Sequence, residues 1–345
     1  REVNLDRIQR PRNMEVVSHL GLRPRPEPTL RRIAYRAWSI FVCFLLLRIL
    51  FWYHVMSVFL SALSYLTPVG AHKLERICTE FFWRATAFFV RLNNVKVTVT
   101  GDPLVPESAV VVCNHQSLVD YFLMVHLAQT TPGLAPEVNF FTWYALWRVP
   151  TLRTVLNVAL CDENWELSRL LCQTVFQKVV VAEAPQWVVL FPEVNIWTPA
   201  AAYLQRLQAQ KYYLPYHDHT LYARYPGLLN AVNTLGSRAH IKFLHMYNVT
   251  VLFHGAQPPS LLDLFALAEQ ITVTIDVRVT PLKSVPQKKA KLEKWLEKTW
   301  LEKDKRMATM KRDLGMRRPA TRPQNPFWDV PVAKLLPLTR LASRG

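Results

Sequence analysis

From Ala37 to Leu66 about thirty residues run almost wholly apolar, with Arg48 as their one formal charge. A straight helical span of a bilayer needs roughly 20 residues, so this run is long enough to cross one. It is far longer than the apolar core of a signal peptide, and no small-residue cleavage site comes soon after it. Two geometries stay open: one tilted span over 37–66, or a hairpin of two short helices dipping into one leaflet. Arg48 would have to snorkel or face protein. His54 with Ser57, Ser61 and Ser64 marks a helix face that packs against protein. Residues 1–32 read as a loose basic arm ending in Arg31-Arg32. Residues 70–92 place Phe81, Phe82, Trp83, Phe88 and Phe89 among Arg76, Arg84 and Arg91. They predict a second helix, either lying at the membrane interface or forming a core helix of the next domain. Residues 33–92 are thus expected to be membrane-embedded and interfacial helices.

From Val95 the pattern changes to short β-branched runs separated by helical stretches. Strands are expected at 95–100, 109–113, 138–142, 187–191, 212–215, 248–253 and 271–278. Helices are expected at 117–129, 144–157, 165–183, 199–210, 227–238 and 260–268. Strands alternating with helices argue for an α/β domain over 93–286, with a mixed, largely parallel sheet flanked by helices. After it, 287–345 reads as an amphipathic helix at 289–313 and then a basic tail broken by Pro319, Pro323, Pro326, Pro331 and Pro337. Such a tail suits anionic headgroups of a bilayer.

Lys and Arg number 42 against 25 Asp and Glu, a net charge of +17. A balance this basic implies an anionic partner: nucleic acid, a membrane face or a phosphorylated substrate. No zinc-finger spacing and no RNA-binding aromatic motif appears, so nucleic acid is not expected. The five cysteines are scattered among apolar neighbours without a CxxC pair. They read as thiols in a reducing compartment, and no metal is expected. Asn248-Val249-Thr250 matches a glycosylation sequon but falls in an expected strand. The sequence begins at Arg1, which leaves a preceding leader open.

The chemistry is concentrated in Asn114-His115-Gln116-Ser117-Leu118-Val119-Asp120, directly after the apolar run 109–113. His115 would sit at a strand's carboxyl end and Asp120 a helical turn on, its carboxylate folding back to the imidazole. A histidine so held can take a proton from a hydroxyl as that hydroxyl attacks an activated carbonyl. The alternative is that both residues merely cap a helix. No serine with its own nucleophile elbow is evident, so the attacking hydroxyl would be a substrate's. A second strand-to-turn word, Val188-Val189-Leu190-Phe191-Pro192-Glu193, would bring Glu193 to the same crevice at the sheet's carboxyl edge.

Together these words resemble the membrane-bound glycerolipid acyltransferases, in the branch of lysophosphatidate, lysocardiolipin and lysophosphoinositol acyltransferases. The resemblance covers about residues 35 to 305. The Asn-His pair with Asp five after the histidine matches residues 114–120 in full. Phe191-Pro192-Glu193-Val194 resembles the family's Phe-Pro-Glu-Gly. Ala223-Arg224-Tyr225-Pro226-Gly227 is similar to its Pro-Arg-x-x-Gly element. Tyr247-Asn248-Val249-Thr250-Val251 is similar to an Asp-Val-Thr strand, and Val285-Pro286, Trp295-Leu296 and Glu302-Lys303-Asp304 resemble the closing segment.

The resemblance implies acyl-CoA as donor and an anionic lysophospholipid or glycerol phosphate as acceptor, with no bound cofactor. It makes His115 the general base and Asp120 its orienting partner. Glu193, Arg224, Gly227, Asn114 and Ser117 would bind substrate, and the 114–118 turn or a nearby loop would supply backbone donors to the oxyanion. It implies a home in the endoplasmic reticulum membrane facing the cytosol, or alternatively the outer mitochondrial membrane. Five positions depart from the pattern: Ala223 for proline, Val194 for glycine, Asn248 for aspartate, and acidic Asp162 and Glu163 where the family carries a base for phosphate. Arg148 and Arg153 are weaker candidates for that base than Arg224. Trp143, Trp147 and Trp165 would line the acyl path or anchor the domain. These departures keep a rival reading open, a non-catalytic member serving as a lipid-binding or structural subunit beside a membrane-protein partner.

Overall fold

The computed structural model describes residues 30–92, 95–142, 145–150, 166–236, 241–255, 257–265 and 270–316. The expected arm over 1–29, the tail from 317, and Trp143, Arg153, Asp162, Glu163 and Trp165 lie outside the described residues. The first helix, α1, is Leu30–Leu63, one uninterrupted element of 34 residues. At 1.5 Å per residue it is about 50 Å long, more than a bilayer's hydrocarbon core. From Ile33 it is long and apolar enough to cross a membrane. Most of its large apolar residues, among them Phe41, Phe44, Leu47, Phe51, Trp52 and Phe59, are exposed. A helix apolar all round with so little of it buried is a membrane element, and the chain is membrane-associated through it.

No break divides 37–66 into two short helices; the turn comes only after Leu63. Helix α2, Pro68–Leu92, then folds back along α1. Phe82, Trp83 and Thr86 of α2 are buried while Ile77, Phe81 and Phe88 stay exposed, so one face of this segment joins the core and the other is left apolar and uncovered. The amino-terminal half of α1 is packed on protein: Val42 and Leu46 join the core, and Ser39 Oγ donates to the Leu262 carbonyl at 2.7 Å.

Seven strands form one sheet: β1 Lys96–Gly101, β2 Ser108–Cys113, β3 Glu137–Thr142, β4 Ala145–Trp147, β5 Gln186–Leu190, β6 Phe243–Phe253 and β7 Thr272–Pro281. Their order is β1-β7-β6-β2-β5-β3-β4. Strands β6, β2, β5 and β3 are mutually parallel, β1 is parallel to β7, and β6–β7 and β3–β4 are antiparallel. The mixed, largely parallel sheet is the fold class expected from sequence.

Period-two alternation places the two faces. Ala109, Val111 and Cys113 of β2 with Trp187 and Val189 of β5 face α1, α2, α3 (Val119–Gln129) and α7 (Leu261–Phe265). Val110, Val112, Val188 and Leu190 face the other way, onto α4 (Arg169–Val181), α6 (Tyr225–Leu235) and α8 (Lys289–Asp313). Both faces covered is why these strands read as continuous apolar runs. Each such buried side chain contributes about 1.5–3 kcal/mol relative to exposure.

Helix α8 belongs to this core, since Leu292, Leu296 and Trp300 are buried in it. Arg306 ties it to β7 through two bonds to buried Asp276, at 2.7 and 3.1 Å.

Two expected elements are different. Residues 212–215 are not a strand: α5 runs Pro199–Tyr212 and Tyr213 ends it in the left-handed region at φ 55°. Leu214 N then bonds back to the Ala209 carbonyl, and Pro215 comes next. The expected helix over 144–157 begins instead as β4, which pairs back on β3. Pro150 would have lain inside that helix, where it removes a donor and clashes with the preceding turn.

Candidate active site

Strand β2 ends at Cys113, and the next seven residues turn into α3 at the sheet's carboxyl edge. Asn114 fixes the start of that turn. Its Nδ2 donates to the Val251 carbonyl at 3.0 Å and its Oδ1 accepts the Val251 N–H at 2.8 Å, a side-chain continuation of the β2–β6 ladder. Ser117 fixes the other end: its Oγ donates to the Pro259 carbonyl at 2.5 Å and accepts the Val119 N–H at 3.1 Å.

Between them His115 Nδ1 lies 2.9 Å from Asp120 Oδ2. The same oxygen accepts the Gln116 N–H at 2.7 Å and the Ser117 N–H at 2.9 Å. Asp120 is fully buried in the first turn of α3, where a negative charge suits the helix amino end. The Asp120 oxygen that accepts two backbone N–H groups also accepts the hydrogen bond from His115 Nδ1–H, which leaves Nε2 as the nitrogen with a free lone pair. The ring stacks on Phe191 at 4.4 Å between centroids and meets the edge of Tyr121 at 5.6 Å, so it has little freedom to rotate.

These bonds narrow where oxyanion donors could come from within the turn. The N–H groups of Gln116, Ser117 and Val119 are committed within the turn and do not point out as oxyanion donors. Asn114 and Ser117 hold the turn's shape.

Glu193, at the end of the neighbouring strand β5, is 2% exposed. Its Oε1 accepts the Trp300 indole N–H at 3.0 Å, while Oε2 is buried with no hydrogen-bond partner among the described residues. Burial pushes its pKa up to about 8, against the indole bond, backbone N–H groups of Leu221 and His115, and the charge of Lys303. Lys303 is as deeply buried, with Nζ donating to the Val249 carbonyl and lying 3.5 Å from that of Val112. Burial pulls it down to about 8, against the nearby Cys113, Glu193 and Asp276.

The turn carrying Glu193 is strained. Val194 has φ 65°, a region that disfavours β-branched residues, and its N–H bonds the Phe191 carbonyl at 2.9 Å. The glycine of the resembling motif would adopt this backbone freely.

Arg224 caps the start of α6, its N–H bonded to the Pro192 carbonyl at 2.8 Å, so its main chain abuts the Glu193 turn. Gly227 is buried in the first turn of α6, after Pro226 at its expected place. Arg148 is far from these groups in the fold: it pairs with Glu137 at 2.9 Å, at the amino end of β3.

Lys303 and Trp300 carry the interior of the site, and sequence reading gave neither a role. A readable signal existed. Leu292, Leu296, Trp300, Lys303, Met307 and Met310 share one helical stripe, and a lysine inside an apolar stripe needs buried acceptors.

A buried His–Asp pair at the carboxyl edge of a doubly covered sheet, beside a membrane-length helix, describes a membrane-associated α/β protein. Comparison with known proteins is consistent with this. Residues 263–332 match the family described as acyltransferase C-terminus. The chain is 26% identical over 272 residues to lysocardiolipin acyltransferase 1 of Danio rerio, covering 77% of this chain and 69% of that one. It is 23% identical over 252 residues to 1-acyl-sn-glycerol-3-phosphate acyltransferase 2 of Brassica napus, covering 67% and 60%. With lysocardiolipin acyltransferase 1 of Gallus gallus it shares 22% over 237 residues, covering 68% and 62%. The chain therefore spans 60 to 69% of the length of these relatives. No solved structure matches it significantly. These relatives and the matched carboxyl-terminal segment support the resemblance to lysophospholipid acyltransferases that the motifs suggested.

Proposed function

We propose that the chain transfers a fatty acyl group from acyl-CoA to the free hydroxyl of an anionic lysophospholipid, lysophosphatidate or a close relative. The observation that carries this reading is the 2.9 Å bond from His115 Nδ1 to Asp120, with the carboxylate pinned by two backbone N–H groups. In this reading Nε2 accepts the hydroxyl proton as the oxygen attacks the thioester carbonyl. The tetrahedral intermediate then expels coenzyme A thiolate, which takes the proton from the imidazolium. An ester C–O bond forms, a C–S bond breaks, and no acyl-enzyme is needed. The acceptor class is supported by the relatives, whose names specify lysocardiolipin and 1-acyl-glycerol 3-phosphate. Both substrates carry acyl chains, which suits a site held beside α1 and α2. We place the protein in the endoplasmic reticulum membrane with its sheet domain on the cytosolic side.

The test is product formation by purified, detergent-solubilised protein with oleoyl-CoA and a panel of lysophospholipids plus glycerol 3-phosphate. Diacyl product from one anionic lysophospholipid is expected. Lipid that co-purifies with no turnover on any acceptor would favour the non-catalytic subunit instead.

A further inference from the structure

Beside the His115 turn lies a cleft of about 40 Å³, walled in part by Gln116, Trp197, His219, Phe253, Gln257 and Lys311. That is room for roughly three waters, about the bulk of one phosphate group. Its walls are bonded to the catalytic turn. Trp197 N–H donates to the His115 carbonyl at 2.8 Å, and the loop after β6 is held by Ser117 on Pro259.

Two side chains make the cleft basic. Lys311 Nζ donates to His219 Nδ1 at 3.0 Å, and a lysine ammonium can only donate. His219 must therefore accept at Nδ1, so its Nε2 carries a proton and is itself a donor. Lys311 keeps two further ammonium protons. The loop bearing His219 is fixed from below by Asp304, which accepts the N–H groups of Asp218, His219 and Thr220 and the Thr220 hydroxyl. Neither Asp304 nor Asp218 lines the cleft; burial lowers the Lys311 pKa, and the charges of these two carboxylates oppose that shift. The Trp197 indole N–H adds a buried donor that has no acceptor among the described residues.

We infer that this cleft binds a phosphate group of a substrate, with Lys311 and His219 as its ligands. The inference rests on the acyl-transfer reading and adds to it a phosphate site outside the expected Arg224 and Arg148. It also gives the carboxyl-terminal family segment, in which Lys311 lies, a direct contact with substrate. The phosphate is either the acceptor's headgroup or one of those on coenzyme A.

Titration calorimetry on the whole detergent-solubilised protein separates the two sources without needing turnover. Coenzyme A and lysophosphatidate are titrated separately into wild type, Lys311→Met, His219→Gln and Lys311→Arg. Lys311→Met should weaken one of the two ligands by roughly tenfold or more, as expected for loss of a charge-assisted contact. Lys311→Arg, which keeps the charge, should retain most of that binding and so exclude misfolding as the cause. Weakened lysophosphatidate assigns the cleft to the headgroup, and weakened coenzyme A assigns it to the donor. Wild-type affinity for both ligands in Lys311→Met and His219→Gln would overturn the site while leaving acyl transfer standing. Failure of the wild type to bind either ligand would overturn both.

Discussion

Two turns stand side by side at the carboxyl ends of β2 and β5, and they are built in opposite ways. The 114–120 turn is relaxed: Asn114 and Ser117 are bonded to β6 and the loop after it, and Asp120 Oδ2 takes three donors while Oδ1 finds no partner among the described residues. The 191–194 turn is strained, with a valine at φ 65° and a buried Glu193 whose Oε1 is held by an indole N–H from a distant helix, its Oε2 likewise finding no partner among the described residues. The first aims an imidazole; the second sends its acid inward to Trp300 and Lys303. Residues that resemble one family motif therefore need not all face substrate. Some hold the floor on which the others stand.

The contrast predicts effects of different kinds. Asp120→Asn should be the most damaging to turnover. An amide cannot hold His115 as the Nδ1–H tautomer, and kcat should fall by roughly 10²–10⁴ with the circular dichroism spectrum unchanged. Next, Trp300→Phe removes the indole donor from Glu193 and should destabilise the fold by about 1–3 kcal/mol in a thermal melt. The acceptor KM should stay near wild type; a collapse of kcat with no change in melting would move Glu193 into the chemistry and erase the contrast.

Glu193 also gives a pH signature. Its carboxyl is raised in the folded protein to about 8, so between pH 4.5 and 8 the native state holds a proton that the unfolded chain has released. Native proton uptake means stability falls as pH rises through this window. Glu193→Gln should flatten that slope, and identical slopes in both proteins would show that the carboxylate is not desolvated in solution.

The smallest effect concerns Val194. A left-handed valine costs about 1–2 kcal/mol, part of which glycine's greater unfolded freedom cancels. Val194→Gly should therefore raise stability by up to about 1 kcal/mol, whereas Val194→Ala, which keeps a Cβ, should give less. No gain in either variant would mean that the turn relaxes away from φ 65°.

The sheet was legible because its central strands are buried on both faces and carry unbroken apolar, largely β-branched runs, as at 109–113 and 187–190. Helix 289–313 was legible from its apolar stripe and matches α8 at both ends. The turn geometry at 212–215 was not, since a left-handed tyrosine after a helix leaves no periodic trace. Within the site, His115 and Asp120 could be paired because five residues of turn and helix bring them together locally. Glu193 could be placed at its strand end, but its direction depends on Trp300, more than a hundred residues on. Lys303 and Lys311 face the sheet's edge for the same non-local reason.

The most direct test is a single-turnover assay with labelled acyl-CoA and a lysophospholipid acceptor, run on wild type and on His115→Ala. The account predicts diacyl product from the wild type, no acyl group on the protein by intact mass before acceptor is added, and at least a roughly thousandfold slower reaction in the variant. Product formed equally fast by His115→Ala, or an acyl-protein that chases into product, would contradict it.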